Sequence, residues 1–168
     1  FLLFTSSFFH FPGRSQDQII KHSGDTIKCT VSEVLQKAIR YKFEGENALN
    51  EISPNTVNKI VFSSGRIQPI STKINITGPK DWEKVQITNL ESDIAGLIKA
   101  GQLNAKASSG WSTTGEGKMQ RKALEKLKKE VAAMGAPIVL ILTQTTHAGT
   151  YGLSGGTKAS FTGIAYKY

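Results

Sequence analysis

One stretch of this chain turns with a helical period, stops at a definite point and runs straight into an apolar strand, and nothing else limits the fold as much. Ala123, Leu124, Leu127, Val131 and Met134 form an apolar stripe at helical spacing. Lys122, Glu125, Lys126, Lys128 and Lys129 fall on the outer face, with Glu125 and Lys129 at the favourable i,i+4 separation. The pattern predicts a helix over about residues 118–134. Gly135 suits the left-handed position that ends a helix, and Pro137 prevents continuation. Ile138-Val139-Leu140-Ile141-Leu142 follows at once, an uninterrupted apolar run typical of a central strand buried on both faces.

Strand patterns flank this unit. Lys84-Val85-Gln86-Ile87-Thr88 precedes it, and a second strand is expected from Ile94 through Ala107, bulged at Gly96 or Gly101. A polar loop spans 108–115 and a Gly-rich loop Ala148 to Lys158, before Phe161-Thr162-Gly163-Ile164-Ala165-Tyr166 closes the chain as a strand. The order is therefore ββαββ. Upstream, residues 18–72 read as about five short strands. Ile27, Cys29 and Val31 alternate with Thr26, Lys28 and Thr30, and Ile39, Tyr41 and Phe43 alternate with Arg40 and Lys42. Val57 to Phe62 returns through a Ser63-Ser64-Gly65 turn to Arg66–Ile70. Short strands with no helix-period stretch suggest a small closed or half-closed β-barrel. The expected fold class is α+β. A β-barrel-like module at 17–72, a linker at 73–83 containing Gly78-Pro79-Lys80-Asp81-Trp82, and an α+β domain at 84–168 make up the chain.

Two resemblances follow from these residues. Gln18-Ile19-Ile20, Gly24-Asp25-Thr26-Ile27, Ile39-Arg40-Tyr41 and Asn58-Lys59-Ile60-Val61-Phe62 with Gly65 resemble a recurrent module of exported Bacteroidetes proteins. That likeness implies an envelope location and an SH3- or Sm-like small barrel. Ala123 through Ala132-Ala133-Met134-Gly135-Ala136 into Ile138-Val139-Leu140, with Thr162-Gly163-Ile164-Ala165-Tyr166, is similar to the YbjQ-like fold shared with the envelope stress sensor RcsF. RcsF-type members staple this domain with cysteine pairs. Cys29, the only cysteine here, lies outside the matching region, so that part of the pattern is absent.

Phe1-Leu2-Leu3-Phe4-Thr5-Ser6-Ser7-Phe8-Phe9-His10-Phe11 is too short for a transmembrane helix, which needs about 20 residues. It has the length of a signal-peptide core, with Gly13 and Ser15 suited to cleavage, so residues 1–15 are expected to be an export leader. The expected location is the periplasm or cell surface of a Gram-negative bacterium.

The chemistry-bearing residues are sparse. Cys29 falls on the apolar side of its strand and reads as a small buried hydrophobe. The histidines, His10, His22 and His147, have no clustered spacing for a metal, and His22 and His147 are expected to be solvated. No serine has nucleophile-elbow spacing. Lys158 precedes a strand and not a helix, so the Gly149–Lys158 segment is no phosphate loop. No catalytic residue, cofactor or metal is expected.

A net charge of +8 from 21 basic and 13 acidic residues favours anionic partners. The best anion or partner site is the basic helix face, Lys118, Arg121, Lys122, Lys126 and Lys129, joined by Lys128. A solvated face explains such a run as well. The function expected is a non-enzymatic envelope binding module for a protein or an anionic surface component, with homo-oligomerisation left open. A nucleic-acid-binding barrel is the alternative, and a metal-binding or sensing protein the second. Nucleic acid is disfavoured because Tyr41 and Phe43 share the apolar side and an export leader removes most of it from reach.

Overall fold

A computed structural model of the chain describes residues 16–109, 115–148 and 156–168. The stretch 1–15 expected as a leader, residues 110–114 of the polar loop and residues 149–155 of the Gly-rich loop lie outside them. Ten strands, one α-helix and three short 3-10 helices are present among the described residues, in an α+β arrangement. The first six strands are β1 (Asp17–Lys21), β2 (Thr26–Val34), β3 (Ile39–Lys42), β4 (Asn50–Ile52), β5 (Val57–Val61) and β6 (Ile67–Pro69). They form one antiparallel sheet in the order β4-β3-β2-β1-β5-β6, with β4 and β6 as its unpaired ends. The ring is therefore not fully closed.

Alternation builds the core of this sheet. Ile19, Cys29, Ile39, Tyr41, Ile52, Val57 and Ile60 are buried in one cluster, although they come from β1 through β5. Side chains from β4 and β5 meet only if the sheet curls around them. Ser63-Ser64-Gly65 makes the expected hairpin, with Gly65 at φ 86° and its N–H donating to the Phe62 carbonyl at 2.8 Å. Phe43 departs from expectation. β3 ends at Lys42, so Phe43 leaves the inward alternation and lies 39% exposed, edge-on to Tyr41.

The second sheet contains β7 (Gln86–Thr88), β8 (Ile98–Ser108), β9 (Ile138–His147) and β10 (Lys158–Lys167), in the order β7-β9-β10-β8. β7 runs parallel to β9 and the other pairs are antiparallel. Helix α1 (Glu116–Ala133) packs on one face, burying Met119, Ala123, Leu127, Val131 and Ala132 against Ala105, Val139, Ala159, Phe161 and Ala165. Gly135 ends it at φ 69°, as the sequence requires. Three of those five strand residues are alanines, which leaves room for the helix between Val139 and Phe161. A Cβ on Gly101 would meet the Met134 methyl, which lies across it although Met134 is 36% exposed.

Two strand expectations change. The residues from Ile94 do not start β8, because Glu91–Ile94 turns as a 3-10 helix and Gly96 adopts φ 85°. The bulge lies beside Gly101, where Ala165 pairs with Gly101 but Tyr166 pairs with Lys99. In β9, Ile138, Val139 and Leu140 are buried as expected, yet Leu142 is 48% exposed. The register slips there: Gly163 pairs with Ile141 and Thr162 with Thr143, leaving Leu142 as the extra residue.

Residues 73–83 are folded onto the second core and do not run free. Ile76 and Trp82 pack against it, and Pro79–Lys84 is a 3-10 helix. Asp81 accepts from Thr77 N–H and Thr77 Oγ1 at 2.8 and 2.7 Å and pairs with Lys84 Nζ at 2.7 Å. The two sheets meet at a short polar seam. Ser53 N–H and Thr56 Oγ1 donate to the Ala95 carbonyl, at 3.0 and 2.9 Å. Ser53 Oγ and Asn55 Nδ2 donate to the Asp93 carbonyl, at 2.9 and 3.1 Å. Gly96 closes the seam against Ile52, where an added Cβ would lie 2.8 Å from Ile52 Cγ1. Gly96→Ala should therefore destabilise the chain by about 1–3 kcal/mol, since it combines a positive φ with a clash. A urea titration monitored by circular dichroism checks this; a midpoint equal to that of the parent would contradict it.

Candidate functional site

Helix α1 places the predicted basic residues on its solvent side because its other side is consumed by the sheet. Lys118, Arg121, Lys122, Lys126 and Lys129 are all exposed. They differ in how they are held. Lys129 Nζ pairs with Glu125 at 2.6 Å, and Lys128 Nζ donates to the Glu83 carbonyl at 3.1 Å. Both ammonium groups stand over the Trp82 ring, 5.5 and 5.6 Å from its centre. Lys118, Arg121, Lys122 and Lys126 make no ion pair among the described residues. The face thus divides into a tethered end near Trp82 and an uncommitted end nearer the helix start.

Charge is segregated along the chain as well. Residues 94–168 hold ten basic and three acidic residues, so +7 of the net +8 arises there. All three acids, Glu116, Glu125 and Glu130, lie on α1. Strands β8, β9 and β10 contain no carboxylate.

The face of this sheet turned away from α1 escaped the sequence reading. Pairing across β10 sets Lys158 between Ser108 and His147, Ser160 between Lys106 and Thr145, and Thr162 between Asn104 and Thr143. A cleft of about 540 Å³ opens over the first two rows. The signal was present as i,i+2 spacing in β8 and β10, but no sequence reveals which strands become neighbours.

The second missed constellation is a serine–histidine pair. His22 is 6% exposed, contrary to the solvated position expected of a turn residue. Its Nε2 lies 2.8 Å from Ser71 Oγ. That hydroxyl also contacts the Pro54 and Val57 carbonyls, at 2.9 and 2.8 Å. A carbonyl only accepts, so the hydroxyl proton points to them and the imidazole N–H donates to Ser71. The histidine is thus no base toward this serine, and the pair is a structural brace. Tyr168 packs edge-on to His22 at 4.9 Å, its hydroxyl accepts from Ile74 N–H at 3.2 Å, and Lys73 Nζ donates to the His22 carbonyl at 3.0 Å. Burial, and then the Lys73 charge, push the His22 pKa below its ordinary value.

Other chemistries fit poorly. Cys29 is buried, and burial with the nearby Asp17 carboxylate pushes its thiol up to about 11, far from a reactive thiolate. Asp17 is itself engaged, accepting from Val31 N–H at 2.9 Å and Ser63 N–H at 2.7 Å. Burial raises its pKa, but those hydrogen bonds outweigh it and hold the carboxyl below the usual range. Among the described residues no three His, Cys, Asp or Glu side chains cluster as a metal site. The hollow beside the exposed Phe43 is lined by Asp17, Glu44 and Glu46, with Lys42 alone opposing them, and would repel phosphates. His147 is exposed, as the sequence suggests. No helix among the described residues is long and apolar enough to cross a membrane.

Comparison with known proteins finds no matching family model, no matching curated protein and no matching solved structure.

Two measurements follow from this geometry. A histidine with a depressed folded pKa binds its proton more readily when unfolded, so folding stability should fall as pH drops below about 6.5 and level off beneath the folded pKa. Urea midpoints at pH 7.5 and 5.5 should show a larger loss for the parent than for His22→Gln; equal losses would contradict the brace. Cys29 should resist Ellman's reagent in buffer and react fully in concentrated guanidinium, whereas prompt labelling of the folded chain would contradict its burial.

Proposed function

We propose that this chain is a non-enzymatic, exported binding protein of the cell envelope, and that it engages an anionic surface component through the basic face of α1. The observation that carries the reading is the uncommitted end of that face. Lys118, Arg121, Lys122 and Lys126 are exposed and without an ion pair among the described residues, on the half of the chain that holds nearly all its net charge. Such a surface raises the local concentration of anions and speeds their encounter. The apolar stretch at 1–15 supports export. The structural use of His22, Ser71 and Cys29 supports a binding role over catalysis.

On the same reading, the first sheet is an SH3- or Sm-like module and residues 84–168 form a YbjQ/RcsF-like domain. The central place of β1 between β2 and β5 supports the first assignment, and the ββαββ order supports the second. Neither assignment supplies a ligand.

The test is sedimentation of the chain with phosphatidylglycerol vesicles and with neutral phosphatidylcholine vesicles. A basic residue near an anionic surface contributes about 1 kcal/mol, so K118Q/R121Q/K122Q/K126Q should weaken binding to the anionic vesicles tenfold or more, by about 1.4 kcal/mol at least. Rising salt should weaken the parent in the same way. Unchanged partitioning of the variant would remove α1 as the site. Intact mass of the protein from its host checks export separately: a mature chain that retains Phe1 to Ser15 would contradict the leader.

A further inference from the structure

The bare face of the second sheet has its own chemistry, distinct from that of α1. An antiparallel sheet covered on one side normally turns polar residues to water on the other. That default accounts for polarity but not for a single sign of charge, nor for a concave surface. Here Lys106 and Lys158 stand on neighbouring strands at diagonal positions, about 7–8 Å apart at their backbones. No carboxylate lies on β8, β9 or β10 to neutralise them. Around them are hydroxyl and imidazole groups, Ser108, Ser160, Thr145 and His147, which line the same cleft of about 540 Å³. Ser160 Oγ is held by Asn104 Oδ1 at 3.2 Å, in the next row.

We infer that this cleft is a binding site for an acidic polysaccharide. A carboxylate of the polymer sits between the Lys106 and Lys158 ammonium groups and accepts from both, relieving their mutual repulsion. Sugar hydroxyls then exchange hydrogen bonds with Ser108, Thr145, His147 and Ser160, groups that donate and accept alike. Among the described residues the cleft is lined by no Phe, Tyr or Trp, and His147 is its one ring, short of the successive stacking platforms that single-stranded nucleic acid uses. Two cations are also far fewer than the roughly 6–10 phosphate contacts of a duplex binder. An acidic peptide would bring carboxylates but few hydroxyl partners for the surrounding rows. The site lies on the side of the sheet opposite α1, so it is independent of the helix-face reading and neither depends on the other.

The experiment uses the full chain already carrying K118Q/R121Q/K122Q/K126Q, so that the uncommitted cations of the helix face are removed. Polygalacturonate is titrated into it by calorimetry at low salt, with neutral dextran, an oligothymidylate and polyglutamate as comparisons. Polygalacturonate should bind and dextran should not. Adding K106Q/K158Q should weaken binding about tenfold or more, because two charge-assisted contacts are lost. Both lysines are exposed, so the fold should persist, which circular dichroism verifies. Absence of polygalacturonate binding, or binding unaltered by K106Q/K158Q, overturns the inference. Equal or tighter binding of oligothymidylate or polyglutamate overturns the choice of polysaccharide.

Discussion

The close seating of α1 on β8, β9 and β10 governs the surface of the whole C-terminal half. Ala105, Ala159 and Ala165 give the helix a shallow floor beside the larger Val139 and Phe161, and Ala123, Leu127 and Val131 pack into it. Gly163 marks how little room remains between strands. A Cβ there would lie 2.9 Å from the Leu140 carbonyl oxygen and 2.9 Å from Val139 Cγ2. Close contacts of this kind resist a shift of one layer against the other. Once its apolar stripe is spent on the sheet, its lysines face water, and no helix among the described residues covers the other side of the sheet. Both candidate anion surfaces are therefore consequences of one contact.

The helix and its end were legible because local rules decide them. Its stripe, the Gly135 terminus and the stop at Pro137 depend on residues within a few positions of one another. The alternating strands and the hairpin at Gly65 were legible for the same reason. What the sequence concealed depends on partners far along the chain. Leu142 is exposed because a bulge opposite β10 displaces it, and no pattern within Ile138–Leu142 announces that. Phe43 continues the alternation of Ile39 and Tyr41 in sequence, but the strand stops before it. Burial of His22 is set by Ser71 and Tyr168, residues 49 and 146 positions away. Of the candidate sites, the basic residues of α1 could be named from helical spacing alone. The lysines of the sheet cleft could not, since Lys106 and Lys158 become neighbours only through the pairing of β8 with β10.

The seam between the sheets shows how a chain with two modest cores gains from joining them. Small cores bury a low fraction of their surface and are marginal alone. Here Ser53 is fully buried and spends its backbone N–H on Ala95 and its hydroxyl on Asp93, while Thr56 adds a second donor to Ala95. A segment that would otherwise expose carbonyls at the Glu91–Ile94 turn thereby has them paired. At a second point, Tyr168 near the end of the chain reaches back to Ile74 and His22. The seam and the tyrosine tie both ends of residues 73–97 to the first sheet, which is why the expected linker is folded and not free.

Segregation of charge then gives the two halves different electrostatic characters despite their contact. In the first half carboxylates are placed among the cations: Arg40 lies between Glu33 and Glu51, at 3.0 and 2.6 Å, and Lys21 meets Asp25 at 2.8 Å. Exposed pairs of this kind contribute little to stability, but they cancel the field that each ion would project. The second half lacks such partners on β8 to β10, and on α1 only Glu125 forms one. Positive potential therefore concentrates on two opposite faces of one two-layer unit. A single extended polyanion cannot lie across both faces without passing around the unit's edge.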